Sequence, residues 1–217
     1  YYGSASNLPQ VENWSAESNQ SNALFGWSVS TAGDVTGDGY GDVIVGAKDY
    51  NGGQSLEGRA YLYLGSSNGL SLTPSWTAEP NIGSYFGQSV STAGDVNGDG
   101  FSDVIVGAPW LDSGQTDEGR TYVYLGSASG LSLTPNWTVE GNQANAHFGW
   151  SVATAGDVNG DGFSDVLIGS IDFDNGQSDE GRAYLYLGSS TGLSIIENWI
   201  NESNQANANF GHSVSSA

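Results

Sequence analysis

Apolar residues in this chain fall in short runs cut off by Gly, Asn-Gly or Asp-Gly. The stretch SVSTAGD at 28–34 alternates in the manner of a short strand, and DVIVGA at 42–47 is apolar at consecutive positions, as a strand covered on both faces is. RAYLYLG at 59–65 alternates again, and SWTAE at 75–79 reads as a weaker outer strand. No window carries a sustained 3.6-residue apolar period, so helix content should be very low. Four short strands in succession predict one antiparallel sheet.

The same pattern then recurs. Phe-Gly stands at Phe25-Gly26, Phe86-Gly87, Phe148-Gly149 and Phe210-Gly211, and Trp at Trp14, Trp76, Trp137 and Trp199, which sets a unit of about 62 residues. A sheet that is apolar on both faces has to be sandwiched between neighbours, and radial stacking of such sheets is a β-propeller. The predicted fold is therefore all-β, a propeller of four-stranded antiparallel blades. The blades and their linkers are expected at 25–85, 86–147 and 148–209, after the outer strand of a preceding blade in 1–24 and before the inner strand of a following one in 210–217. Three and a half repeats fall short of the 4 to 8 blades of a typical ring. The expectation is a part of a seven-bladed ring, or self-association of copies to complete one.

Composition narrows the function. With 24 Asp plus Glu against 4 Lys plus Arg, the net charge is −20, a field that repels nucleic-acid backbones and anionic lipid headgroups. Neither nucleic-acid binding nor direct membrane insertion is expected, and no apolar run approaches the length of a membrane span. Cysteine is absent, which removes disulfides and thiolate metal sites.

Much of the acidity is organised. Between the first and second strands of each unit stands DVTGDGYGD at 34–42, DVNGDGFSD at 95–103 and DVNGDGFSD at 157–165. Alternate positions offer oxygen from Asp34, Thr36 and Asp38, from Asp95, Asn97 and Asp99, and from Asp157, Asn159 and Asp161. The glycine at position six turns the chain so that the carbonyl of Tyr40, Phe101 or Phe163 points inward, and Asp42, Asp103 or Asp165 closes the cage. Hard oxygen donors in that number suit Ca2+ better than Mg2+, and the expected count is three ions per chain. The loop begins like an EF-hand but ends at position nine and is flanked by strands, which excludes EF-hand helices. A plain reading as three solvated Asp-Gly turns explains less, since every oxygen position is kept in all three.

Phe-Gly, the nine-residue acidic loop and then Gly107-Ala108-Pro109 together resemble the FG-GAP repeats of integrin α-subunit propellers. The first and third units depart from it with Gly46-Ala47-Lys48 and Gly169-Ser170-Ile171. The resemblance implies a seven-bladed, extracellular propeller that binds calcium on its hairpin loops and serves adhesion or ligand binding. Near-identical repeats without cysteine look more like bacterial secreted or surface members of that family.

Other conspicuous residues divide by whether they repeat. The Phe and Trp series read as blade packing, whereas Trp27, Trp110 and Trp150 occupy positions that vary among units, where Gln88, Asp49 and His212 stand instead, and suggest a surface role. Arg59, Arg120 and Arg182 each follow Glu-Gly and read as structural ion-pair partners. Catalysis finds little support: His147 and His212 have no repeated nucleophile beside them, so no enzyme is expected. The sequence thus points to a secreted or cell-surface calcium-binding scaffold or adhesion module with a protein or glycan ligand on its propeller face. The alternatives are a lectin-like carbohydrate-binding propeller or a noncatalytic appendage of a secreted enzyme.

Overall fold

The computed structural model describes residues 12–216. Among them there is no helix, and twelve strands form three four-stranded antiparallel sheets in simple meander order. The first sheet holds β1 (Phe25–Gly33), β2 (Asp42–Ala47), β3 (Arg59–Tyr63) and β4 (Trp76–Ala78). The second holds β5 (Ser89–Gly94), β6 (Asp103–Ala108), β7 (Arg120–Tyr124) and β8 (Trp137–Glu140). The third holds β9 (Phe148–Gly156), β10 (Asp165–Ser170), β11 (Arg182–Tyr186) and β12 (Trp199–Glu202).

The sheets stack as propeller blades, and the pleat explains why their central strands are apolar throughout. On β6, Val104 and Val106 enter the core shared with the first blade, while Ile105 between them enters the core shared with the third. Phe86 and Phe148 are completely buried at the two joints, each edge-on to a tyrosine, Tyr122 at 5.3 Å and Tyr184 at 5.1 Å. Burying a side chain of that size contributes about 1.5–3 kcal/mol.

Each joint is also bolted at two polar points. The Trp76 indole donates to the Ser132 carbonyl at 2.9 Å and its ring meets Tyr124 of the next blade at 4.8 Å. Trp137 repeats this on Ser194 and Tyr186, and Trp14 on Ser71 and Tyr63. Nearer the strand starts, Ser28, Ser89 and Ser151 donate to the carbonyls of Gly87, Gly149 and Gly211, the glycines of Phe-Gly in the following unit. Gly46, Gly107 and Gly169 face those carbonyls so closely that a Cβ would lie far inside contact distance. Phe-Gly and Gly-Ala are thus two halves of one joint, one bringing a carbonyl and the other clearing room for it.

Two sequence expectations need correction. No strand forms in residues 12–24, where Trp14 docks through its indole N–H and its ring. The remainder of the expected 1–24 strand lies outside the described residues. No strand forms in 210–216 either, where Phe210 makes only a single bridge to Gly181 and has no second strand to pair with. At that end Trp199 is 47% exposed, against 6% for Trp76 and 8% for Trp137.

The joint generates a test. Gly107→Ala forces a methyl against the Gly149 carbonyl and is expected to lower stability by about 1–3 kcal/mol in urea unfolding. Gly53→Ala, whose added methyl meets nothing closer than ordinary contact distance, is expected to leave the midpoint unchanged.

Candidate metal centre

The three acidic loops connect β1 to β2, β5 to β6 and β9 to β10, all at the same end of their blades. Their internal geometry repeats. Asp34 accepts from the N–H groups of Asp38 at 3.1 Å and Gly39 at 2.7 Å, Asp95 from those of Gly98, Asp99 and Gly100, and Asp157 from those of Gly160, Asp161 and Gly162. Position five turns back in the same way: Asp38, Asp99 and Asp161 accept from the N–H of Tyr40, Phe101 and Phe163. In the second and third loops the amides of Asn97 and Asn159 lie against the carboxylates of Asp99 and Asp161, at 2.9 and 2.8 Å. Each loop is therefore folded by its own tight turn, which brings position three beside position five in the second and third loops and which glycine at positions four and six permits with positive φ.

The ninth residue behaves differently. Asp42, Asp103 and Asp165 are buried, and each carboxylate accepts two backbone bonds. One comes from the second residue of its own loop, Val35, Val96 or Val158, and the other from the glycine after the third strand, Gly65, Gly126 or Gly188, all at 2.8–2.9 Å. A residue expected only to close an ion cage also ties the hairpin loop to the other connection at that end of the blade. The sequence showed its identity but not this second role, because the glycine partner lies 23 residues further on.

Neighbouring loops also touch. Ser102 donates its N–H to the Asp34 carbonyl at 2.9 Å while its hydroxyl accepts from the Asp34 N–H, and Ser164 donates to the Asp95 carbonyl at 2.9 Å. The rings of Phe101 and Phe163 lie over Gly37 and Gly98 of the preceding loop. The sequence signal was the Phe-Ser pair of the second and third loops, where the first has Tyr40-Gly41.

Electrostatically the loops lack a counter-charge of their own. All four Lys and Arg are engaged elsewhere, Lys48 with Asp49, Arg59 with Glu79, Arg120 with Glu140 and Arg182 with Glu202. The arginines thus pair across β3–β4 and its equivalents. The glutamates beside them in sequence, Glu57, Glu118 and Glu180, are buried and accept backbone N–H groups of the loop after the second strand. Burial, reinforced by Asp99 and Asp95, pushes the Asp103 carboxyl up to about 7 against the two N–H groups that favour its charge. Burial with Asp34 and Asp38 nearby raises Asp42 as well. Asp34 and Asp157 are held low: in Asp34 the backbone N–H groups outweigh burial, and in Asp157 the Gly162 N–H leads.

Among the described residues no three carboxylate or imidazole side chains converge as a ready-made cluster. The donor set fits a hard cation nonetheless, because it mixes carboxylate, amide or hydroxyl, and carbonyl oxygens. The Thr36 hydroxyl, at position three of the first loop, is buried with no hydrogen-bond partner among the described residues. An orphaned oxygen within an acidic loop is a group that an oxygen-seeking ion could satisfy.

A stack of four-stranded blades with one acidic hairpin loop apiece defines a repeat-built propeller. The FG-GAP repeat model matches residues 25–63, 86–124 and 148–186, and the chain belongs to that family. Among curated proteins it is similar to integrin alpha-5 of Xenopus laevis, 31% identical over 205 residues, covering 89% of this chain and 19% of that one. It is also similar to phosphatidylinositol-glycan-specific phospholipase D of Bos taurus, 38% identical over 178 residues, covering 76% of this chain and 21% of that one. The chain thus spans about a fifth of the length of these relatives. Among solved structures, the exotype rhamnogalacturonan lyase YesX aligns with a TM-score of 0.46 at 15% identity, covering 86% of this chain and 35% of that one.

The raised Asp103 has a measurable consequence. Folding favours its protonated form, so with chelator present the wild type is expected to lose stability relative to Asp103→Asn as pH rises from about 4 to about 7. Parallel urea curves across that window would check it, and a constant difference would refute it.

Proposed function

We propose that this chain is a calcium-loaded, non-enzymatic FG-GAP propeller segment that works outside the cell as a binding or adhesion scaffold. The observation that carries the reading is the threefold recurrence of one oxygen-lined loop, uncompensated by any cation of the chain and holding the orphaned Thr36 hydroxyl. Each ion would be held by positions one, three and five, the carbonyl at position seven and the carboxylate at nine. In the first loop these are Asp34, Thr36, Asp38, Tyr40 and Asp42; the second and third use Asp95, Asn97, Asp99, Phe101 and Asp103, and Asp157, Asn159, Asp161, Phe163 and Asp165. Bound calcium would neutralise converging carboxylates and stiffen loops that already brace one another, a structural task with no chemical step.

The extracellular setting is supported by the kinship with an integrin α chain. A second placement, as a noncatalytic part of a larger enzyme, is favoured by the match to a phospholipase D of which the shared region is about a fifth. In either setting the propeller binds and the loops hold it rigid.

Calorimetric unfolding with calcium and then with chelator tests the metal. At an ion concentration 100-fold above Kd, each site is expected to add about 2.7 kcal/mol and raise the melting temperature by about 5–10 °C. Titration should give three ions per chain, and two after Asp95→Ala. A melting temperature indifferent to calcium would sink the reading.

A further inference from the structure

The end of the blades away from the acidic loops carries a second feature that the fold does not require. In β1 the register pairs Gly33 with Asp42 at the loop end and Phe25 with Ala47 at the other, about 20 Å away at strand rise. At that far end a row of rings crosses all three blades. Lys48 sits between Trp27 at 4.5 Å and Tyr85 at 4.9 Å; Tyr85 lies 4.7 Å from Trp110, Trp110 5.2 Å from Trp150, and Trp150 5.8 Å from His212.

These rings are not part of blade architecture. Trp110 stands where the first and third units have Asp49 and Asp172, and Trp27 and Trp150 stand where the second and fourth have Gln88 and His212. The second unit, with Gln88, still forms its first strand, from Ser89 to Gly94, and pairs it with the second strand in the same register. Tyr85 and His147 have positive φ, 54° and 53°, as do Leu24 and Asn209 at the same position. Asn suits that backbone best, yet the two sites facing the row carry rings. Trp27 is 54% exposed, and Tyr85, Trp110, His147 and Trp150 are half-buried, packed on one side and open on the other.

The polar groups along the row select the ligand. Asp49 is neutralised by Lys48 at 2.9 Å, and Asp172 accepts from the Asn209 amide at 2.8 Å and meets the His147 ring at 2.8 Å. Asp49 and Asp172 are thus already engaged by groups of the chain itself, and the cation position between Trp27 and Tyr85 is filled by the chain's own lysine. The overall charge of −20 turns away polyanions. What remains is a run of ring faces flanked by paired donors and acceptors, suited to a molecule with apolar C–H faces and hydroxyls that both donate and accept. The geometry points to a neutral glycan, stacked along Trp27, Tyr85, Trp110 and Trp150, as the ligand of this propeller face. This rests on the reading of the chain as a binding module and names what it binds, but it does not depend on calcium.

Native affinity electrophoresis through gels cast with soluble galactomannan, β-glucan or xyloglucan, or with polygalacturonate, tests the assignment. At least one neutral polymer is expected to retard the chain, and Trp110→Ala and Trp150→Ala should each weaken that retardation about tenfold or more. Trp199→Ala, which removes an exposed ring away from the row, should retain it. Far-UV circular dichroism and the melting temperature confirm that each variant is folded, and the exposed Trp27→Ala serves if an inner variant is not. No retardation by any neutral polymer, retardation by polygalacturonate alone, or retardation untouched by the row variants would overturn the proposal. Running the gels with calcium and with chelator separates the two readings. A chain that is stabilised by calcium yet never retarded refutes only the glycan, and one that is retarded yet indifferent to calcium refutes only the metal.

Discussion

A buried aspartate at the end of each hairpin loop sets the terms for the rest of the blade. Asp42, Asp103 and Asp165 each hold two backbone N–H groups from segments far apart in sequence, fixing the loop between the first two strands against the connection leaving the third. A buried carboxylate is tolerable only where several dipoles or a cation stabilise its charge. Burial raises the Asp42 and Asp103 carboxyls against the two N–H groups that favour their charge. The residue proposed as the last ligand of each loop is also the one that ties the blade's two connections together.

The periodic features were legible in the sequence because they are local and repeated. Strand positions follow from apolar runs bounded by glycine, the blade from four such runs, and the stack from a second strand apolar on both faces. The donor residues of the loops were visible as a nine-residue pattern. Features that bring together residues distant in sequence, within a blade or between blades, were not visible. The partner of Arg59 is Glu79, twenty residues on and across a strand pair, and not the Glu57 beside it, which turns inward to gather backbone N–H groups. Ser102 and Ser164 fall outside the donor positions of their own loops, and only the stacking places them against Asp34 and Asp95 of the loop before.

The ring row illustrates the converse. Trp27, Trp110 and Trp150 stand out in sequence only as departures from the repeat, and nothing linear shows that the start of one blade's first strand and the end of another's second lie at the same end of the stack. Once the blades are in register, irregular positions separated by dozens of residues become neighbours. A regular scaffold thus carries an irregular surface, and the two can change independently.

The joint between blades has a consequence of its own. Ser28 to Gly87, Ser89 to Gly149 and Ser151 to Gly211 are the same bond made three times, with the same glycine clearance and the same tryptophan bolt where a following blade is present. Any unit can therefore follow any other, and inserting or deleting one whole unit of about 62 residues leaves every remaining joint unaltered. Blade number in such a chain is free to vary by duplication and loss of gene segments, with no compensating substitution required inside the blades, and is bounded only by the geometry of closing a ring.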